Sequence, residues 1–159
     1  MLSRLAESFF WIGRYVERAE STTRLLQEHH QLLVEDRTVS EGAGTAIVLE
    51  ALSMPHAHVS TRAQFIDAVV GTEAEASTVM GAVFAARENA RAVREVLAGE
   101  VFESLNSTYL LLNRRNVPSQ NPGASLHQIL ERLLVVNGSF EWEMSRDESY
   151  LFWTIGRAL

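Results

Sequence analysis

The chain has 159 residues, 47% of them apolar, enough to fill the core of one domain or of half a repeated one. Its 20 acidic residues outnumber 14 basic ones, and a net charge of -6 excludes broad, nonspecific attraction to nucleic acid or an anionic membrane. With no cysteine there are no disulfides, no thiolate chemistry and no cysteine-held metal.

No apolar run approaches the ~20 residues of a membrane span. The opening MLSRLAES lacks a signal-peptide core. The expectation is therefore a cytoplasmic protein. Only three prolines and nine glycines occur, and strand-like alternation is scarce. The fold class is all-α, a bundle of six to seven helices led by a long one.

The first helix is expected from about Leu2 to Glu35, with Ser3 as its cap. Leu5, Phe9, Ile12, Val16, Ala19, Thr23, Leu26, His30 and Leu33 make one stripe at alternating spacings of three and four. That is the seam of a helix packed against others. Glu7, Trp11, Arg14, Arg18 and Leu25 run beside it. The mixture of an indole and two guanidiniums reads as an ionic cluster able to hold an anionic group. It also reads as arginines paired with Glu7 or Glu17 whose stems cover Trp11.

A loop over Asp36–Gly44 leads to a second helix over Thr45–Ser53, with Ile47, Val48 and Leu52 facing in. Met54–Ser60, with Pro55, His56 and His58, is a connection. The third helix, Thr61–Val70, ends at Gly71. The fourth, Thr72–Ala98, buries Val79, Val83, Ala86, Ala90, Val93 and Leu97, and Gly99 closes it. Its other face carries Arg87, Glu88, Arg91, Arg94 and Glu95.

The fifth helix, Glu100–Asn113, directs Val101, Leu105, Tyr109 and Leu112 inward. Arg114–Gly123 is the most loop-like stretch. The sixth, Ala124–Trp142, is capped by Ser125 with Gln128 three residues on, a capping-box spacing. It buries Ile129, Leu133, Val136 and Phe140. The seventh runs from Asp147 to Leu159. It repeats the opening at an offset of 143, with Phe9-Phe10-Trp11-Ile12-Gly13-Arg14 lying over Phe152-Trp153-Thr154-Ile155-Gly156-Arg157. The match is short, but it points to a duplicated domain whose second repeat begins near residue 147.

Four stretches occur in order: AESFFWIGRYVERAE (6–20), ARENARAVRE (86–95), FESLNSTY (102–109) and DESYLFWTIGR (147–157). Together they resemble the alpha-E domain family of bacterial helical domains. The resemblance implies a domain about twice this length, so that this chain is its N-terminal half. It also implies partners, an ATP-grasp-type ligase or a transglutaminase-like peptidase, and a part in peptide synthesis or modification. The polar and charged residues it marks are Glu7, Arg14, Glu17 and Arg18 in the first stretch, and Arg87, Glu88, Asn89, Arg91 and Arg94 in the second.

Arg87, Arg91 and Arg94 share a helix face at spacings of four and three. Guanidiniums so grouped suit carboxylate or phosphate, although Glu88 and Glu95 lie among them. Asn89 and Asn106 are helix-interior amides for backbone or ligand. His29 and His30 point apart, His56 and His58 lack a third ligand, and His127 stands alone, so no metal set is expected. No phosphate loop, nucleophile elbow or cofactor motif is present. The sequence reading is a helical binding module using the arginine–glutamate cluster to hold a partner protein or anionic peptide. The alternatives are an amide-forming or amide-cleaving enzyme with Glu17 as acid or base, and a structural homo-oligomer.

Overall fold

The computed structural model describes residues 3–35, 41–54, 58–113 and 121–159. These form seven helices and no strand. The expected helix start at Leu2, the loop residues 36–40, Pro55 and His56, and loop residues 114–120 lie outside the described residues.

Helix α1 (Ser3–Glu35) is the spine. Its seam holds from Phe9 through Ile12, Val16, Ala19 and Thr23 to Leu26, each fully or almost fully buried. Beyond Leu26 the buried position is His29, not the expected His30, and Leu33 is only half-buried. A straight helix drifts about 20° per heptad against a 3.5-residue repeat. By the fourth heptad the core has moved to the Thr22–Leu26–His29 row.

Helix α2 (Glu41–Ala51) starts earlier than expected and buries Val48 and Leu49; Ile47, expected inside, is exposed. Helix α3 (Arg62–Val70) is capped by Thr61, whose hydroxyl accepts from the Gln64 amide. Gly71 ends it at a φ of 69°, a left-handed value natural to glycine.

Helix α4 (Val79–Ala92) begins seven residues after the expected start at Thr72, at the first residue of its apolar stripe. Thr78 is the reason. In extended backbone, its hydroxyl accepts from the Gly81 amide at 3.1 Å and donates to the Glu75 carbonyl at 2.7 Å. This cap fixes the start and leaves 72–77 as turns. At the other end Val93 and Leu97 stay buried in a run of turns, so the stripe continues where the helix does not. Gly99 opens α5 (Gly99–Asn113) and does not close α4.

Helix α6 (Pro122–Glu143) is capped by Asn121, which accepts from the Ala124 amide at 3.2 Å, not by Ser125. Proline in the first turn has the right φ and lacks only an amide proton that would go unpaired. Helix α7 (Glu148–Ala158) starts next to its expected position and is capped by Asp147, which accepts from the amides of Ser149 and Tyr150.

Two apolar clusters result. One gathers α2, α3 and the start of α4 and α6 around Leu26. The other gathers the end of α4, α5, the end of α6 and α7 around Phe9, Ile12 and Val16. Tyr15 touches both. A buried polar link joins α1 to α6: Asn137 donates to Glu20 at 2.6 Å, and Arg24 donates to the other oxygen of that carboxylate.

Near the end of α1, His30 lies against α6, where a Cβ on Gly123 would come 3.2 Å from its Nε2. Burial, and after it the positive charge of Arg62, holds its pKa below the ordinary 6.5. The unfolded chain therefore takes up this proton more readily than the folded one, and stability is lost as pH falls through the ordinary value of about 6.5 and below it. Melting curves across that range should show a shallower decline for His30→Gln than for the wild type. Equal slopes would assign the decline to other groups.

Candidate functional site

The charged residues of α1 divide by the side they occupy. Glu7 is exposed, whereas Arg14, Glu17 and Arg18 are half-buried. Among the described residues α1 packs more extensively on α7 than on any other helix, and two glycines set that crossing. A Cβ on Gly13 would overlap the Trp153 carbonyl oxygen and lie 3.2 Å from the Arg157 amide nitrogen. A Cβ on Gly156 would overlap the Phe10 carbonyl oxygen and lie 3.0 Å from the Arg14 amide nitrogen. The backbones are in direct contact, and no side chain fits between them.

Beside this crossing, Arg157 Nε lies 3.8 Å from a Glu17 oxygen, while the Ser21 hydroxyl donates to the other at 2.6 Å. The Arg157 guanidinium also sits 5.0 Å from the Trp153 ring centre. Trp153 is itself buried flat against Phe140, with 4.6 Å between ring centres. Among the described residues, neither Arg14 nor Arg18 has an acidic group within ion-pair distance. Trp11, on the same side of α1, stacks on Tyr15 at 5.4 Å.

The three arginines expected on one face of the fourth helix are split. Arg87 turns to α5: its Nε donates to Asn106 at 2.8 Å, its Nη1 to Glu88 at 2.7 Å, and its guanidinium covers Tyr109. The Tyr109 hydroxyl donates to Glu73 at 2.6 Å. Asn89 donates to the Ala85 carbonyl one turn back, a bond internal to the helix. Arg91 remains on the surface, 3.9 Å from Glu88. Arg94 lies past the end of α4, in the turns, and covers Phe102.

Arg91 and Arg94 nevertheless share a site. They line a groove of about 810 Å³ between the start of α1 and the end of α4, with Arg4, Leu5, Ser8 and Val96. Glu95 lines it as well. Three guanidiniums and a hydroxyl thus border an apolar floor in a protein of negative net charge. Arg4 and Ser8 were not legible as site residues, because nothing in the spacing joins residues 4–8 to 91–96. Among the described residues, no three His, Asp or Glu side chains are grouped as a metal would need, and His58 is exposed. No described helix is long and apolar enough to cross a membrane.

A family model described as Alpha-E, a predicted alpha-helical domain with a conserved ER motif, matches residues 1–159. The chain belongs to the Alpha-E family. No curated protein and no solved structure matches it. Glu-Arg pairs occur at 17–18 and 131–132 in this Alpha-E chain. Glu131 and Arg132 are exposed on α6, with Glu131 3.4 Å from His127. Glu17 and Arg18 stand half-buried, Glu17 at the glycine crossing itself.

Proposed function

We propose that this Alpha-E chain is a helical binding module that holds a carboxylate-rich peptide segment in the groove between α1 and the end of α4. The supporting observation is the placing of Arg4, Arg91 and Arg94 around Leu5 and Val96. Arg4 and Arg94 have no carboxylate within ion-pair distance among the described residues, and Arg91 has only a long contact to Glu88. Guanidiniums bind carboxylates through paired N–H donors, and the apolar floor suits the side chains between them. An ATP-grasp-type ligase or a transglutaminase-like peptidase, the partners implied by the resemblance, would supply such a segment at a tail or as peptide substrate.

The enzymatic alternative has no comparable support. Glu17 is engaged by Ser21 and Arg157. A labelled peptide alternating glutamate and leucine tests the binding reading by fluorescence anisotropy. Binding in the range of about 10–100 µM is expected, weakening as salt screens the charges. Arg91→Glu with Arg94→Glu should weaken it by about tenfold or more, since two attractions become repulsions. Unchanged affinity in that variant, or no binding at millimolar peptide, would remove the groove as the site.

A further inference from the structure

Helix α6 carries two heptad seams on opposite faces. Leu126, Ile129, Leu133, Val136 and Phe140, spaced three and four apart, form the buried one. Ala124, Gln128, Glu131, Val135, Gly138 and Trp142, spaced four and three apart, lie about 180° away around the helix and point out of the bundle. All of this second row is exposed except Gly138, which is half-buried. Trp142 is 88% exposed, the highest value of any large apolar side chain among the described residues. Val135 and Leu134 are exposed on the same ridge.

A hollow and a knob stand on this ridge at a fixed separation. Gln128, Glu131, Arg132 and Val135, with Leu134, line a surface hollow of about 470 Å³. The first four occupy positions i−3, i, i+1 and i+4 about Glu131, the set that receives one side chain from a facing helix in knobs-into-holes packing. Trp142 stands eleven residues beyond Glu131, about 16 Å along the axis. The hollow also suits an indole chemically. Glu131 offers an acceptor for its Nε1–H, and Arg132 a guanidinium for its ring face.

We infer that two copies of this chain pair through α6, antiparallel about a two-fold axis, each seating its Trp142 in the hollow of the other. Setting position 142 of one copy against 131 of the other also sets 138 against 135. Val135 of each copy then meets Gly138 of the other, where a Cβ would find no neighbour within 4 Å in the single chain. Knob, hollow and small residue thus all match in one register. One patch serves both copies, as an isologous contact requires. A second copy is the occupant because the ridge is complementary to itself: it carries both halves of the fit. One helix on one helix buries about 1,000 Å² in total, the low end for a specific interface, so a dissociation constant of about 10–100 µM is expected. This ridge is separate from the peptide groove, and its test does not depend on that reading.

Sedimentation equilibrium of the 17.8 kDa chain, from about 5 µM to about 1 mM, should show conversion from monomer to dimer. Trp142→Ala removes both knobs and should weaken pairing by about a hundredfold, since buried indoles anchor interfaces. Its melting temperature in dilute solution should stay that of the wild type, because the side chain is solvated in the monomer. Glu131→Trp fills the hollow, so two indoles collide at each end, and it should weaken pairing to a similar extent. In an equimolar mixture of these variants, the knob of the Glu131→Trp chain enters the intact hollow of the Trp142→Ala chain. The added indole meets the space that the alanine leaves. The mixture should therefore sediment as a heterodimer at a concentration where each variant alone is monomeric. A wild-type chain that stays monomeric throughout overturns the proposal and leaves the ridge to an unlike partner. Dimers that survive Trp142→Ala, or variants that do not complement each other, overturn it as well, because the copies then meet on another face or in another register.

Discussion

Gly13→Ala should lower the melting temperature, while the chemically identical Gly138→Ala should raise it. Both residues are inside helices, where alanine is favoured over glycine by about 1 kcal/mol. At Gly138 a Cβ meets nothing within 4 Å, so that gain is kept. At Gly13 the new methyl would overlap the Trp153 carbonyl oxygen. Backbone oxygen in a helix cannot rotate aside, so α1 and α7 must separate, loosening the most extensive helix pairing among the described residues. Overpacking of this kind costs about 1–3 kcal/mol and occasionally more. With losses along the crossing added, a net cost of about 2–4 kcal/mol is expected, a drop of roughly 4–16 °C for a chain of this size. Gly156→Ala should behave like Gly13→Ala, since its Cβ would overlap the Phe10 carbonyl oxygen. A rise in melting temperature for either crossing variant would show that the helices pass farther apart than described.

Trp153→Ala should be comparably damaging, by a different route. The indole is 1% exposed and lies flat on Phe140, at an interplanar angle of 6°. Its loss leaves a cavity between α6 and α7 and uncovers the aromatic surface beneath. Large-to-small changes at such sites cost about 3–5 kcal/mol. Trp153→Phe should cost much less, about 1 kcal/mol, because the stacked ring is kept. The indole Nε1 is buried without a hydrogen-bond partner among the described residues, so its removal gives up no bond. Urea titration of the two variants provides the comparison. Equal losses would mean that the outer ring of the indole, and not stacking on Phe140, supplies the stabilisation.

The sequence carried the helices well where one residue pattern determined them. The α1 row from Phe9 to Leu26, Thr61 at the start of α3 and Asp147 at the start of α7 all follow from local spacing. It failed where local spacing left more than one option open. Thr72 and Thr78 are both acceptable caps, and Thr78 prevails because its hydroxyl also reaches the Glu75 carbonyl. Gly99 could close one helix or open the next. The candidate site was less legible for the same reason. Periodicity groups Arg87 with Arg91 and Arg94, but Arg87 is drawn to Asn106, 19 residues away. Arg4 joins the groove from the far end of the sequence. Glu20 reads as a surface acid until Asn137, on another helix, is placed beside it.

The glycine crossing also sets an order of events during synthesis. Gly13 and Gly156 are 143 residues apart, so at about 5–20 residues per second α1 leaves the ribosome roughly 7–30 s before α7 exists to meet it. Throughout that interval the notch at Gly13 is open, and Phe9 and Ile12 lack part of the cluster they share with Trp153. The helix begun first is thus completed in its packing only once α7 emerges. Throughout that interval the nascent chain offers an apolar surface to chaperones and to other nascent chains.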